Sequence, residues 1–233
     1  MKHLAATFTA TAAIQLGNLA SGILAARLLL PEGRGQLAAI MLWPALIAAI
    51  GGLSINTSSA YFAAQQGERP SSIFAAVSWL SAALSAVLVA IGFAIIPYAY
   101  GDQAPVVLRL TEAYLAFIPL NLFGLSFLAL LQGGLRIGTF NVLRATLPAA
   151  YLAFVLLAFA FGRAGLGGFV TASLAANAVV VALALGALAR LGWIGFRAPL
   201  ALMRAMLRYA LSSHLGTAVA ILSQRLDPSP PSP

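Results

Sequence analysis

The sequence predicts an all-α membrane protein: six transmembrane helices forming one lobe, an interfacial helix and a truncated seventh helix. The first observation is composition, because 61% of the 233 residues are hydrophobic and only 8% are charged, whereas soluble domains carry about 25% charged residues. The second is that the apolar residues form continuous runs, and a helix needs about 20 of them to cross a bilayer. Membrane β-barrels instead alternate apolar and polar residues, so these runs favour helices.

Six runs have the length of a membrane span, and short connectors separate them. The connectors, among them PEGRGQ, QQGERPSS and GRAGLGG, are rich in Gly, Pro and polar residues, which favour turns. We therefore predict that residues 1–189 form one transmembrane lobe. Its six spans cover residues 6–30, 37–64, 73–98, 106–131, 141–162 and 166–189.

Residues 190–208 have a different pattern and are predicted to form a cytoplasmic, interfacial and amphipathic linker. Spacings of seven and four residues place Arg197, Arg204 and Arg208 on one helical stripe. Basic and apolar faces together are typical of a helix at the membrane surface, and an ordinary basic loop is the alternative. The apolar residues expected on the opposite face are Trp193, Phe196, Leu200, Met203 and Leu207.

The last residues of the sequence contain the start of a further membrane span, followed by a segment that cannot continue the helix. Residues 209–227 start a seventh transmembrane helix, and residues 228–233 contain only Ser and Pro. Proline lacks the backbone donor and clashes with the preceding helical turn, so the helix is expected to end there.

The net charge of +8 is best explained by orientation in the bilayer, because the basic residues occur singly between apolar runs. A cytoplasmic N-terminus places eight of them on the cytoplasmic side, and we predict that orientation. These are Lys2, Arg69, Arg136, Arg144, Arg190, Arg197, Arg204 and Arg208. The opposite side then holds Arg27, Arg34, Arg109 and Arg163.

The sequence does not indicate catalysis. Its two histidines, His3 and His214, are far apart, and its five acidic residues occur singly, so no metal-ligand spacing is present. Cysteine is absent, which excludes disulfides and thiolate sites. We expect no enzyme activity, no metal and no cofactor.

Polar side chains occur inside four of the predicted spans. A buried amide is costly unless a partner or water satisfies it. Each residue alone is explained by a bond to a neighbouring helix, whereas four spans together favour a shared hydrated cavity, around which Pro44, Pro119 and Pro148 bend the helices. The candidate residues are Gln15, Asn18, Asn56, Ser59, Asn121 and Asn177.

Two arginines complete the set of candidates. Arg27 lies near the outer end of the first span, where an interfacial anchor is the simplest interpretation. Arg225 lies about 16 residues into the seventh helix, with Asp227 two residues on. An arginine at that depth in a membrane span is a candidate for a functional site.

Two stretches carry a resemblance to a known family. ARLLLPEGRGQLAAIMLWPALIAAIGGLSINTSSAYFAAQ resembles the first two helices of polysaccharide and O-antigen flippases, of the multidrug/oligosaccharidyl-lipid/polysaccharide exporter superfamily. LRYALSSHLGTAVAILSQRLD resembles the start of their seventh helix. The resemblance implies a flippase that moves undecaprenyl-diphosphate-linked polysaccharide units by alternating access between two lobes. It also implies that Arg27 and Arg225 contribute to a basic cavity for the diphosphate.

The resemblance further implies an inner-membrane location and a truncated or frameshifted chain, since the family continues with at least five more spans. The chain is then an N-terminal lobe that is inactive alone. The expected partners are the lipid bilayer, an anionic lipid-linked oligosaccharide, and a second copy or the missing C-terminal lobe; nucleic acid is not expected.

Three alternatives remain open. A peptidoglycan-precursor flippase and a drug/cation antiporter would share the architecture, but an antiporter needs intramembrane carboxylates, and the first six spans have no central Asp or Glu. The third alternative is a non-transporting membrane scaffold.

Overall fold

The computed structural model describes residues 2–65, 67–100, 103–163 and 165–226, and every regular element in these ranges is a helix. The predicted all-α membrane fold is confirmed. The elements are α1 (Lys2–Gly51), α2 (Ile55–Ala64), α3 (Pro70–Ala99), α4 (Pro105–Tyr114), α5 (Phe117–Gly133), α6 (Ile137–Ala160), α7 (Leu166–Arg190) and α8 (Leu200–Leu226).

Within the described ranges, five helical stretches are long and apolar enough to cross a membrane. The first of them has 38 residues; at 1.5 Å per residue it would extend about 57 Å, nearly twice the hydrocarbon thickness. It therefore has the length of two crossings, which explains the difference from the six predicted spans. The stretches are Ile14–Gly51, Pro70–Ala99, Pro105–Gly133, Ile137–Ala160 and Leu166–Arg190.

The boundary between the first two predicted spans differs from the prediction. Residues 31–36, expected to be a connector, are helical, and α1 is instead broken at the single residue Leu30, whose φ is 58° and ψ 175°. Pro31 explains both the break at Leu30 and the helical conformation of the residues that follow it. Its ring disfavours a helical conformation for the preceding residue, and proline is well tolerated in the first turn of the helix that follows.

A second break interrupts the predicted span 37–64. Gly52 follows the end of α1, and Leu53 and Ser54 both have left-handed backbones, with φ of 47° and 55°. A left-handed conformation costs about 1–2 kcal/mol for a residue other than glycine. The break separates α2 from α1 and places backbone without helical hydrogen bonds beside the polar residues that follow it.

The helices pack around two clusters of buried apolar side chains. One joins α1 and α3 to α7, with Ile40, Ile96 and Phe169 almost fully buried. The other joins α3, α5, α6 and α7 to α8, with Leu131 and Met206 at its centre. Large apolar side chains also cover the outer surface, as expected for helices that face lipid.

The segment α8 packs against α2 through specific contacts. The Ser58 hydroxyl donates to the Met206 carbonyl oxygen at 2.9 Å, and the Tyr61 and Tyr209 rings stack with their centroids 4.2 Å apart. Residues 191–199 are not helical, and α8 continues through position 209 without a break. The predicted division of the chain into a linker and a seventh span remains a prediction.

Three connectors meet at one end of the bundle. Glu68, Gly134 and Trp193, from the α2–α3, α5–α6 and α7–α8 connectors, line one small cavity. The α3–α4 and α6–α7 connectors therefore lie at the opposite end, since α3, α4–α5, α6 and α7 each run the length of the bundle.

Candidate functional site

A cavity of about 510 Å³ with several polar side chains in its lining lies between α1, α5, α6 and α7. Three of the predicted amides line it, one from each of α1, α5 and α7: Asn18, Asn121 and Asn177. We call this space the asparagine cavity. Its polar lining is completed by Arg144, Tyr151 and Ser173.

Close contact between α1 and α6 positions the first of these amides. A Cβ atom added to Gly17 would lie 3.0 Å from the Cβ of Pro148, which itself lines the cavity. Small residues allow helices to approach where no hydrophobic effect drives them together. The glycine therefore lets α1 approach α6 at Pro148 and places the adjacent Asn18 at the cavity.

The amides have unused hydrogen-bonding capacity. The Nδ2 of Asn177 donates to the Ser173 carbonyl oxygen at 2.9 Å, which leaves its side-chain oxygen as an acceptor. Within the described part of the chain, Asn18 and Asn121 form no hydrogen bond to protein. An amide in an apolar surrounding needs water or a ligand to satisfy it, so the cavity is suited to a polar occupant.

Arg144 supplies the positive charge of this site. Its guanidinium carbon lies 5.4 Å from the centroid of the Phe140 ring, and it forms no ion pair with a described acidic residue. From the sequence, Arg144 is predicted only as one of the basic residues on the cytoplasmic side. Its spacing to Pro148 and Tyr151, four and seven residues on, places all three on one face of α6, and this spacing is the sequence feature that indicates the site.

A second cavity, of about 340 Å³, lies beside the break between α1 and α2. Ser54, Asn56 and Asn121 contribute its polar lining. Because Asn121 lines both cavities, α5 is their common wall. The Ser54 hydroxyl oxygen lies 3.3 Å from Nδ1 of His214, which connects the break to α8.

The remaining predicted residues lie elsewhere. Gln15 and Arg27 are exposed and line neither cavity. Ser59 is buried, and its hydroxyl donates to the Ile55 carbonyl oxygen of its own helix at 2.8 Å. The side chain of Arg225 and the tail 228–233 lie outside the described residues.

Of the three prolines predicted to bend helices around a cavity, one lines the site. Pro148 is buried inside α6 and faces the asparagine cavity. Pro44 lies inside α1, and Pro119 lies in the first turn of α5. Neither of these two lines the asparagine cavity.

A larger depression of about 780 Å³ lies at the turn between α6 and α7. It is formed mainly by apolar and glycine residues, with Arg163 and Thr171 as its polar side chains. None of the predicted amides lines it. Since chemistry depends on convergent polar groups, the smaller asparagine cavity is the better candidate site.

The donors available in the asparagine cavity are amides, hydroxyls and a guanidinium. Within the described ranges, no group of three or more His, Asp or Glu side chains is arranged to hold a metal ion. Amide, hydroxyl and guanidinium groups can hydrogen-bond anionic and hydroxyl-bearing molecules.

A bundle of membrane-spanning helices around a cavity with polar side chains is typical of membrane transport proteins. The family model described as polysaccharide biosynthesis protein matches residues 2–229. The chain belongs to this family of membrane polysaccharide transporters, and its resemblance to polysaccharide and O-antigen flippases is confirmed. Comparison with curated proteins and with solved structures gave no match.

Proposed function

We propose that the chain is the N-terminal lobe of a flippase that moves undecaprenyl-diphosphate-linked polysaccharide units across the inner membrane by alternating access. The observation that carries this proposal is the convergence of Asn18, Asn121 and Asn177 with Arg144 on one cavity. Family membership supports the transport class, and the chemistry of the cavity supports the ligand.

The cavity groups are matched to a diphosphate joined to a sugar. The guanidinium of Arg144 offers two parallel N–H donors, which suit phosphate oxygens. The amides of Asn18 and Asn121 both donate and accept, as sugar hydroxyls require.

Arg144 replaces Arg27 as the main candidate for the diphosphate. Arg27 lines neither cavity, so its role still rests on the resemblance. Arg225 retains the role that the resemblance implies. We propose that both act only once a second lobe is present.

The distribution of arginines supports a cytoplasmic N-terminus. The end of the bundle where the α2–α3, α5–α6 and α7–α8 connectors meet is rich in arginine, and basic residues accumulate on the cytoplasmic side. We propose that α1 and α2 together cross the membrane twice; these connectors then follow an even number of crossings, and the N-terminus is expected on the same side. The arginines at this end are Arg69, Arg136, Arg190, Arg197, Arg204 and Arg208.

A single lobe provides one wall of an alternating-access cavity, because that mechanism requires one bundle to move against another. We propose that a second copy of the chain or a C-terminal lobe supplies the other wall. The chain expressed alone is then expected to insert and to bind ligand without transporting it.

The alternatives differ in what the cavity must contain. An antiporter requires a carboxylate, and none of the residues that line the asparagine cavity is acidic. A peptidoglycan-precursor flippase would use the same diphosphate chemistry and differ in the sugar. A scaffold would bind no lipid-linked diphosphate.

Replacing Arg144 tests this function by a binding measurement. We expect Arg144→Gln to weaken binding of undecaprenyl diphosphate to the purified chain by about tenfold or more, because a hydrogen bond to a charged group contributes about 1.5–3 kcal/mol. Affinity is measured by titration in nanodiscs.

The matched control is Arg109→Gln, which removes an exposed arginine of α4 that lines neither cavity. It should leave affinity unchanged. Equal affinity for Arg144→Gln and the wild type would reject the diphosphate site.

A further inference from the structure

Three arginines lie exposed at the start of α8 and in the connector before it. Arg197 lies in the non-helical residues 191–199, and Arg204 and Arg208 lie one turn apart on α8. Among the described residues, no acidic side chain forms an ion pair with any of the three. Their charge is therefore available to a partner outside the chain.

Apolar side chains share the exposed surface with these arginines. Phe196 is 83% exposed and Leu200 is 69% exposed. Leu200, Arg204 and Leu207 follow each other at spacings of four and three residues, so they lie on one face of α8. The sequence pattern predicted Leu200 and Leu207 on the face opposite the arginines, and the structure differs because Leu202 and Met206 occupy the buried face.

We define the connector patch as Phe196, Arg197, Leu200, Arg204 and Arg208. In this patch, large apolar side chains lie beside guanidinium groups. This mixture is typical of protein surfaces at the boundary between lipid headgroups and acyl chains, where apolar side chains enter the acyl region and arginines reach the phosphates.

The connector is fixed to the rest of the bundle. A Cβ atom on Gly134 would lie 2.1 Å from the ring of Trp193, and one on Gly195 would lie 2.6 Å from the Ser71 carbonyl oxygen. The Trp79 indole N–H donates to the Phe196 carbonyl oxygen at 3.3 Å. The patch is thus held in place before any partner binds, which lowers the entropic cost of binding.

We propose that the connector patch binds the headgroup of an anionic phospholipid in the leaflet that it faces. Guanidinium groups pair with phosphate oxygens through two parallel hydrogen bonds, and Phe196 and Leu200 contact the upper acyl chain. A net negative headgroup is favoured over a zwitterionic one because the three arginines outnumber Glu68, the acidic residue that lines a pocket beside the start of α8, and none of them forms an ion pair with a described acidic residue. The patch shares no residue with the asparagine cavity, so this site does not depend on transport.

The test compares phosphatidylglycerol and phosphatidylcholine binding to the purified full-length chain by native mass spectrometry. The wild type should prefer phosphatidylglycerol. The triple variant Arg197→Gln, Arg204→Gln and Arg208→Gln should lose this preference, with affinity for phosphatidylglycerol falling about fivefold for each arginine removed. The control removes three exposed arginines elsewhere, as Arg34→Gln, Arg109→Gln and Arg163→Gln, and should keep the preference.

The wild type provides a second measurement that does not depend on how a variant folds. Raising the salt concentration should weaken phosphatidylglycerol binding, because exposed charges are screened. Equal binding of the two lipids, an equal loss in the control variant, or binding insensitive to salt would each overturn the proposal. Displacement of the lipid by inorganic phosphate alone would assign the patch to a free anion and would also overturn it.

Discussion

At the scale of single residues, the turn between α5 and α6 places a leucine where the backbone favours glycine. Leu135 has a φ of 58° and is 76% exposed. The N–H of Arg136 donates to the Leu131 carbonyl oxygen at 2.8 Å, and that of Leu135 donates to Gln132 at 3.0 Å. This is the Schellman pattern of a helix end, in which the left-handed position is usually glycine.

Replacing this leucine should therefore stabilise the protein. We expect Leu135→Gly to raise the free energy of unfolding by about 1 kcal/mol, because glycine adopts the left-handed conformation without strain and little packing is lost. Unfolding is measured by denaturing-detergent titration. The same change at Leu16, an equally exposed position inside α1 at 67%, should destabilise by about 1 kcal/mol, and a loss of stability at both positions would contradict the assignment.

The polar residues of the site were partly predictable at this scale. Asn18, Asn121 and Asn177 stand out because each interrupts an apolar run, and the cost of burying an amide indicates a shared polar space. Arg144 does not stand out, because it follows a connector and looks like an interfacial residue. Ser59 was predicted as a cavity residue together with the amides, but its hydroxyl donates to a carbonyl oxygen of its own helix. A single sequence does not show whether a serine hydroxyl bonds to its own helix or faces a cavity.

At the scale of elements, glycines determine which helices touch. A Cβ atom on Gly133 would lie 2.3 Å from the Ala60 carbonyl oxygen and 2.9 Å from the Ala63 Cβ. Backbone atoms cannot rotate away as a side chain can. The end of α5 therefore rests directly on α2, and this contact holds the short helix that follows the break in the second span.

Adding one methyl group at this contact should separate the two helices. We expect Gly133→Ala to lower the free energy of unfolding by about 2 kcal/mol, the usual cost of overpacking. Gly138→Ala is the control, because nothing lies within 4 Å of its added Cβ atom. It should be neutral or slightly stabilising by helix propensity, and equal effects of the two substitutions would show that α2 and α5 do not touch as described.

The boundaries of the elements were less predictable than their existence. Hydropathy identifies long apolar stretches because membrane crossing requires them. It does not detect the break at Leu53 and Ser54, since neither residue favours the left-handed conformation. The preceding pair, Gly51 and Gly52, is the available indication, because glycine weakens a helix.

At the scale of the whole molecule, composition alone predicts the class, since a chain with 8% charged residues cannot cover a soluble surface. Composition does not predict the position of the cavity. This position depends on which helices are neighbours, and that depends on contacts such as the one between Gly17 and Pro148. Small residues recur on several helices, so their spacing does not identify the pairs.

Orientation is the property of the whole molecule that a chemical label can test. The chain contains no cysteine, so single introduced cysteines report their own side of the membrane. Leu135 and Phe161 lie at opposite ends of α6 and are each 76% exposed, which makes them a matched pair. In spheroplasts, an impermeant maleimide should label Phe161→Cys at once and Leu135→Cys only after permeabilisation, because the arginine-rich end is expected to face the cytoplasm. The reverse order would invert the orientation, and immediate labelling of both would show that α6 does not cross the membrane.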